Sequence, residues 1–297
     1  MFPVQIAFIA DIQFFYGALV TIGSALRRIS TYKSVVLHGM VSSWRADQVA
    51  YFESAVKRWH PRCDLRIHEF DEEQVAALHR VRGSLMNYAL FFLPSQLEGI
   101  ILYLDCDLLV RLDLSPLFDL DLGKAVAAAV TWETLANSAD KTLFLDLGIP
   151  LTSPHFNCGV MLIDCEKWRN YEVGVKSLAL RQKYDNLLVG GNQPVLNAVL
   201  HGRICSLPRV YNTLVSPHRS LNLETRKEER VWHLVGRPKP WEFLGRVLHC
   251  LGREFSKEEQ NLGLDRYISS RGVFRDMIAA FRHWRGYYRC IRRAIGL

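Results

Sequence analysis

Much is absent from this 297-residue chain. The longest early uncharged stretch, Ile12 to Leu26, is bounded by Asp11 and Arg27 and falls short of the ~20 residues that cross a bilayer. No Lys or Arg lies between Met1 and Ala10, where a secretory leader would carry its basic segment. The seven cysteines, at 63, 106, 158, 165, 205, 250 and 290, are odd in number and nowhere spaced C-x-x-C. That argues against a disulfide framework and a zinc knuckle. There is no N-x-[ST] sequon, internal repeat, low-complexity block or Ser/Gly linker. These absences lead us to expect an unglycosylated, reduced, cytoplasmic protein.

Apolar residues make up 49% and charged residues 23%, so a large core can be buried and disorder is excluded. The net charge of +7 is unevenly placed: Arg271 to Leu297 holds seven arginines against one acid, Asp276. The basicity belongs to this tail, and no general nucleic-acid surface is expected.

Along the chain, Val4 to Ala10, Ser34 to Val41 and Asp64 to Phe70 read as strands, alternating with helices over Phe14 to Ile29 and Ala46 to Trp59. A further helix is expected over Ser84 to Leu97. Ile100 to Leu104 is a continuous apolar run of the kind found in central strands. Lys124 to Thr131, Gly159 to Cys165, Ile204 to Leu207 and Val231 to Val235 are further strand candidates; Val173 to Tyr184 and Gln193 to His201 read as helices. The expectation is an α/β fold with a mostly parallel central sheet covered on both faces. The simplest partition is a catalytic domain over residues 1–250 and a helical, basic appendage over 251–297.

The buried run ends on Asp105-Cys106-Asp107. Residues two apart on an extended chain point to one side, so both carboxylates can face a divalent ion at the carboxyl edge of the sheet. Asp119-Leu120-Asp121 repeats the spacing, but in a turn, and reads as solvated. Cys106 is expected to point into the core. Each acid has a bland alternative: the motif arises by chance about once in such a chain, and Asp11 can simply cap the helix that follows it.

Three segments taken in order add specificity: Ile101-Leu-Tyr-Leu-Asp105-Cys-Asp107, then Phe156-Asn157-Cys-Gly159-Val-Met-Leu-Ile163, then His233-Leu-Val-Gly236-Arg-Pro-Lys239-Pro-Trp241. Together they resemble the family-8 retaining glycosyltransferases, GT-A enzymes that include bacterial lipopolysaccharide galactosyl- and glucosyltransferases and glycogenin. The likeness covers roughly residues 4 to 241. It implies transfer of a hexose from a UDP-sugar to a glycan or glycolipid acceptor, with Asp105, Asp107 and His233 as ligands of Mn²⁺ or Mg²⁺. It implies Gly236 and Lys239 over the diphosphate, Ala10 and Asp11 at the uracil, and Asn157 and Asn192 at the donor sugar. Gln193 would stand beside the anomeric carbon, stabilising its cationic character. The sequence departs from the family's pattern at Leu90, where an arginine is common, at Asn192, where an aspartate is usual, and around Thr131-Trp132, where an acid is expected. For His233, Lys239 and Asn157, the alternatives are a core histidine, a surface lysine and a turn cap. A glycogenin-like soluble transferase, a UDP-sugar-binding scaffold without turnover, and a nucleotidyltransferase are the competing functions; the His233 to Trp241 segment speaks against the last.

In the tail, Phe274, Met277, Phe281, Trp284, Tyr288, Ile291 and Ile295 are spaced 3, 4, 3, 4, 3, 4, which draws an apolar stripe flanked by arginines. A basic helix with Trp and Tyr suits the headgroup plane of an anionic membrane, so residues 274–295 are expected to hold the protein peripherally on the inner face of the cell membrane. The alternatives are packing of the stripe on the protein's own body or on a partner subunit, and contact with nucleic acid.

Overall fold

A computed structural model describes residues 3–81, 83–185, 187–264 and 283–294. Ten strands are described: β1 (Val4–Asp11), β2 (Val35–Ser42), β3 (Cys63–Glu69), β4 (Ile100–Leu104), β5 (Leu108–Val110), β6 (Ala127–Thr134), β7 (Pro154–Asp164), β8 (Ile204–Leu207), β9 (Thr213–Val215) and β10 (Val231–Leu234). Seven form one sheet in the order β3-β2-β1-β4-β7-β6-β8. Only β7 runs against its neighbours β4 and β6; the other pairs are parallel. The expected mostly parallel sheet is therefore present, and both faces carry an apolar core.

A second sheet, β5-β10-β9, branches off directly after Asp107. Its β5 and β9 have three residues each, too short for any periodicity to show in sequence. The register His233↔Leu108 carries the histidine motif to the end of β4.

Helix α1 (Phe15–Leu26) is buried on every side, as expected of a helix with no charged residue. It lies under the turn after β4: a side chain at Gly17 would strike the Cys106 carbonyl and Trp241. Helix α2 (Ala46–Trp59) covers the same face and has the predicted bounds. Helices α3 (Val173–Tyr184) and α4 (Gln193–Val199) flank the other face. The helix expected over Ser84 to Leu97 is instead three short pieces, Met86–Tyr88, Ala89–Phe92 and Leu93–Gln96. Pro94 has no N–H for an i−4 bond and restricts Leu93 before it, which breaks the run.

The core continues through Leu264. Helix α5 (Gly252–Asn261) is tied to α1 by Glu259, which accepts from Tyr16 and from both ends of the Arg246 guanidinium. Glu258 pairs with Arg28 at 3.0 and 3.2 Å. Helix α6 (Trp284–Ala294) docks through buried Tyr287 and Cys290. Tyr287 donates to the Phe243 carbonyl, and Arg293 to those of Pro217 and Leu248. Gly286 sits where any side chain would strike the Arg237 carbonyl. The stripe read from sequence is not the docking face: Trp284, Tyr288 and Ile291 are 57%, 54% and 45% exposed. Phe274, Met277, Phe281 and Ile295 lie outside the described residues. No described helix is long and apolar enough to cross a membrane.

Candidate active site

Asp105 and Asp107 leave the end of β4 on the turn that packs against Gly17. The Asp105 N–H donates to the Gly159 carbonyl at 2.8 Å, and the Asp107 carbonyl accepts from Leu234 N–H at 2.9 Å. Both acids are thus pinned by backbone to the two later motifs. Cys106 between them is buried, its Sγ 3.3 Å from the Ile9 carbonyl. Burial and the two flanking carboxylates push this thiol well above its ordinary range, and Cys158 is raised by burial in the same way; neither is poised as a nucleophile.

His233 Nε2 lies 3.1 Å from Asp107 and 3.8 Å from Asp105, and the ligand atoms of all three residues fall within 4.8 Å of one another. The acids differ in their surroundings. Asp105, 36% exposed at its side chain, accepts from Tyr103 Oη at 2.6 Å; burial and the charge of Asp107 raise its carboxyl. Burial pushes Asp107 upward too, but Lys239 and His233 outweigh this and hold it ionised, well below the usual carboxylate range. Lys239 is buried, not at the surface: its Nζ donates to Asp107 at 2.6 Å and to the Leu234 carbonyl.

A chain of hydrogen bonds leads away from His233, and one backbone donor fixes its direction. Asn157 Oδ1 accepts from Gly159 N–H at 2.9 Å, so the amide group of Asn212 that meets the same oxygen at 2.7 Å must be its NH₂. Asn212 Oδ1 then faces His233 Nδ1 at 3.0 Å as an acceptor, which places a proton on Nδ1 and turns Nε2 toward the two carboxylates. Two carboxylates and an imidazole nitrogen form a donor set that fits a divalent ion. In the other direction, Asn157 Nδ2 donates to Gln193 Oε1 at 2.9 Å. Gln193 Nε2 faces His155 Nε2 at 3.3 Å, and His155 Nδ1 stands 3.6 Å from Glu133.

Gly159 completes the fit, since a side chain there would strike the His233 ring. The Phe-Asn-Cys-Gly segment and the histidine motif interlock physically. Gln193 opens α4, followed by Pro194, and Asn192 before it makes no side-chain cap. The loop leading to Gln193 is held by Asp140, whose carboxylate accepts from Val189 N–H at 2.6 Å and Gly190 N–H at 3.0 Å. Asn197 fastens α4 to β7 through both backbone groups of Phe156.

Ala10 and Asp11 reach the same sheet edge, because β1 and β4 are in register at Phe8↔Leu104. Asp11 caps the turn after β1, accepting from Gln13 and Phe14 N–H groups. Gly236 takes φ +77°, a conformation that favours glycine. Asp121 accepts from Gly123 N–H in an exposed turn and takes no part in the site. Leu90 is fully buried in the core beneath α3 and α4, and Thr131 bonds Ser206 at 2.7 Å. Sequence reasoning missed Asn212, His155, Glu133 and Asp140. None stands in a motif, and only the fold aligns them.

The protein-family model described as "Glycosyl transferase family 8" matches residues 5–245. The chain is 30% identical over 183 residues to lipopolysaccharide 1,2-glucosyltransferase of Escherichia coli K12, covering 58% of this chain and 53% of that protein. It is 30% identical over 153 residues to general stress protein A of Bacillus subtilis, covering 47% and 52%. It thus spans about half the length of these curated relatives. Among solved structures, galactosyltransferase LgtC with donor and acceptor sugar analogues superposes with a TM-score of 0.72 at 21% identity, over 87% of this chain and 96% of that one. The bifunctional glycosyltransferase WbbM gives 0.73 at 19% identity, over 91% and 51%. These structures share the fold.

Proposed function

Because the chain belongs to glycosyl transferase family 8, we propose that it moves a hexose, galactose or glucose, from a UDP-sugar to a hydroxyl of a glycan or glycolipid acceptor, with retention at the anomeric carbon. The observation that carries this reading is the meeting of Asp105, Asp107 and the Nε2 of His233 at one sheet edge. A bound Mn²⁺, which accepts nitrogen beside oxygen, or Mg²⁺, would supply charge neutralisation for the departing diphosphate. Lys239, already against Asp107, adds a fixed positive charge beside it, and Gly236 lets backbone approach the phosphates. Asp11 and Ala10 border the uracil. Asn157 and Asn192 border the donor sugar, and Gln193, clamped between Asn157 and His155, stands by the anomeric carbon. An amide is too poor a nucleophile for the two-carboxylate scheme of glycoside hydrolysis. The acceptor hydroxyl therefore attacks from the face the phosphate leaves: its oxygen bonds the anomeric carbon as the bond to the phosphate oxygen breaks, and its proton passes to that departing oxygen.

The name of the E. coli relative supports a bacterial surface glycan precursor, such as lipopolysaccharide core, as acceptor. The outward face of α6, with Trp284, Tyr288 and Ile291 beside Arg285, Arg289 and Arg292, supports peripheral attachment to an anionic membrane. Unchanged sedimentation with phosphatidylglycerol vesicles after Trp284→Ser/Tyr288→Ser/Ile291→Ser would end the attachment proposal.

UDP release from a panel of UDP-sugars, with Mn²⁺, Mg²⁺ or EDTA, tests the transferase. Slow hydrolysis of one sugar, lost in EDTA and in Asp105→Ala, is expected. UDP binding without any turnover, even with acceptors supplied, would favour the scaffold reading that the changes at Leu90 and Asn192 motivate; no UDP binding would sink both.

A further inference from the structure

Beyond the candidate metal group lies a cavity of about 680 Å³, between the 216–218 and 235–237 segments on one side and the start of α6 on the other. This volume is in the range of sites that hold small ligands. Neither Asp105 nor Asp107 lines it, so it is distinct from the metal group, yet it shares Gly236 with the loop that follows His233. Its described lining contains His218, Arg237, His283, Arg285 and Arg289, and no carboxylate.

Of these, Arg237 is already paired with Glu242. Arg285 and Arg289 are exposed, and neither forms an ion pair among the described residues. They stand four apart on one helix, where like charges oppose helix formation. The helix is nonetheless held against the cavity by Gly286 at the Arg237 carbonyl and by Arg293 on the Pro217 carbonyl. The helix thus presents two guanidinium groups at the cavity with no ion-pair partner among the described residues. Arginine forks match the oxygens of a phosphate.

We infer that this cavity binds a phosphate group carried by the acceptor, through Arg285 and Arg289, so that the substrate class is a phosphorylated sugar or a sugar on a phosphate-bearing lipid. The inference rests on the transferase reading for the word acceptor, but the anion site stands on its own geometry. Phosphate held here would bring an attached sugar to the Val235-Gly236 side of the metal group, and α6 would act in acceptor selection.

The test is calorimetric titration of the full chain, with UDP and Mn²⁺ saturating, by glucose 6-phosphate and by glucose at millimolar concentrations. Saturable binding of glucose 6-phosphate but not glucose is expected. It should weaken at least tenfold in Arg285→Glu/Arg289→Glu and persist in Arg58→Glu, which changes an exposed arginine of α2 that does not line the cavity. Equal binding by wild type and the double variant, or equal binding of glucose, would overturn the inference. Displacement of glucose 6-phosphate by phosphatidylglycerol vesicles but not phosphatidylcholine vesicles would assign the phosphate to a lipid headgroup; no displacement would assign it to the glycan. A separate UDP titration keeps the two readings apart. UDP binding without arginine-dependent phosphate binding would remove only this inference, and the converse would remove only the transferase.

Discussion

The two ends of the hydrogen-bonded chain through Asn157 are built on different principles. At the metal end, formal charges oppose one another at short range: Asp107 meets Lys239 at 2.6 Å and His233 at 3.1 Å, and backbone bonds pin both acids. At the other end the Gln193 side chain is held by one neutral amide and one imidazole. The metal end is over-determined, each group fixed by at least two others. The Gln193 end depends on the direction of single hydrogen bonds, which a change of one side chain can reset. Of the departures from the family's pattern, Leu90 lies in the core, Thr131 bonds Ser206 and Asn192 immediately precedes Gln193, and none touches the metal group.

The sharpest way to break this contrast is Asp107→Asn, which keeps the shape and removes the charge. Metal-dependent UDP release should fall by roughly 10³-fold, the scale of losing a principal electrostatic group, and the melting temperature should fall as well, because buried Lys239 loses its countercharge. Asp105→Asn should cost activity with little loss of melting temperature, since Asp105 is the more open acid. Equal thermal effects would refute the difference drawn between them.

Next in size is Gly159→Ala. The new methyl must displace the His233 ring, and metal affinity, read as the Mn²⁺ concentration for half-maximal UDP release, should weaken by about 10- to 100-fold. A similar loss is expected for Asn212→Ala, which frees the imidazole to take the wrong tautomer. An unaltered Mn²⁺ requirement in both would mean that His233 is not a ligand.

At the Gln193 end, His155→Phe should lower kcat by about tenfold, the rate equivalent of one ordinary hydrogen bond, with donor KM unchanged. Burial lowers the pKa of His155 from the usual imidazole value, against the opposing pull of Glu133. The wild-type rate should therefore stay flat down through neutral pH and fall only below about 6.5, as protonated Nε2 confronts the Gln193 amide. The variant should lose that acid limb; an unchanged profile would remove His155 from the chain.

The smallest effect concerns stability away from the site. Burial lowers His38 to about 4 and His249 to about 3. Below the ordinary imidazole value of about 6.5, the unfolded chain takes up these protons while the folded one does not. Stability is thus complete above that value and is lost as pH falls toward 4 and then 3. His38→Gln should flatten the fall in melting temperature between pH 6.5 and 4.5, and an unchanged slope would show that His38 is not a cause.

Much of the metal end was legible in sequence because the motifs there are local: Asp105-x-Asp107 ends an unmistakable buried strand, and His233 opens a segment with its own punctuation. Asn212 was not, because a lone asparagine ahead of a three-residue strand has no period and no partner in sequence. Glu133 and His155 meet across the β6–β7 pair, where the register shifts between Ala129, Thr131 and Glu133, and a shift of this kind leaves no mark on residue alternation. In the tail, spacing identified a helix whose Trp284, Tyr288 and Ile291 stay exposed, and gave no sign of the face that docks. A single glycine, Gly286, decides the close approach, and hydrophobic periodicity does not weigh a residue with no side chain.

The branch of the small sheet from the large one also dictates when the site can come into being. Lys239 lies 132 residues beyond Asp107, and the imidazole arrives only when β10 closes against β5. Such distant pairing forms late, after the loop between has been ordered. A growing chain that has just formed β4 carries two neighbouring carboxylates and nothing to complete them. An ion that needs all three ligands therefore discriminates finished from unfinished molecules, and its binding energy stabilises only the folded state. With an ion bound, the group would be a checkpoint on folding as well as a tool of the proposed transfer.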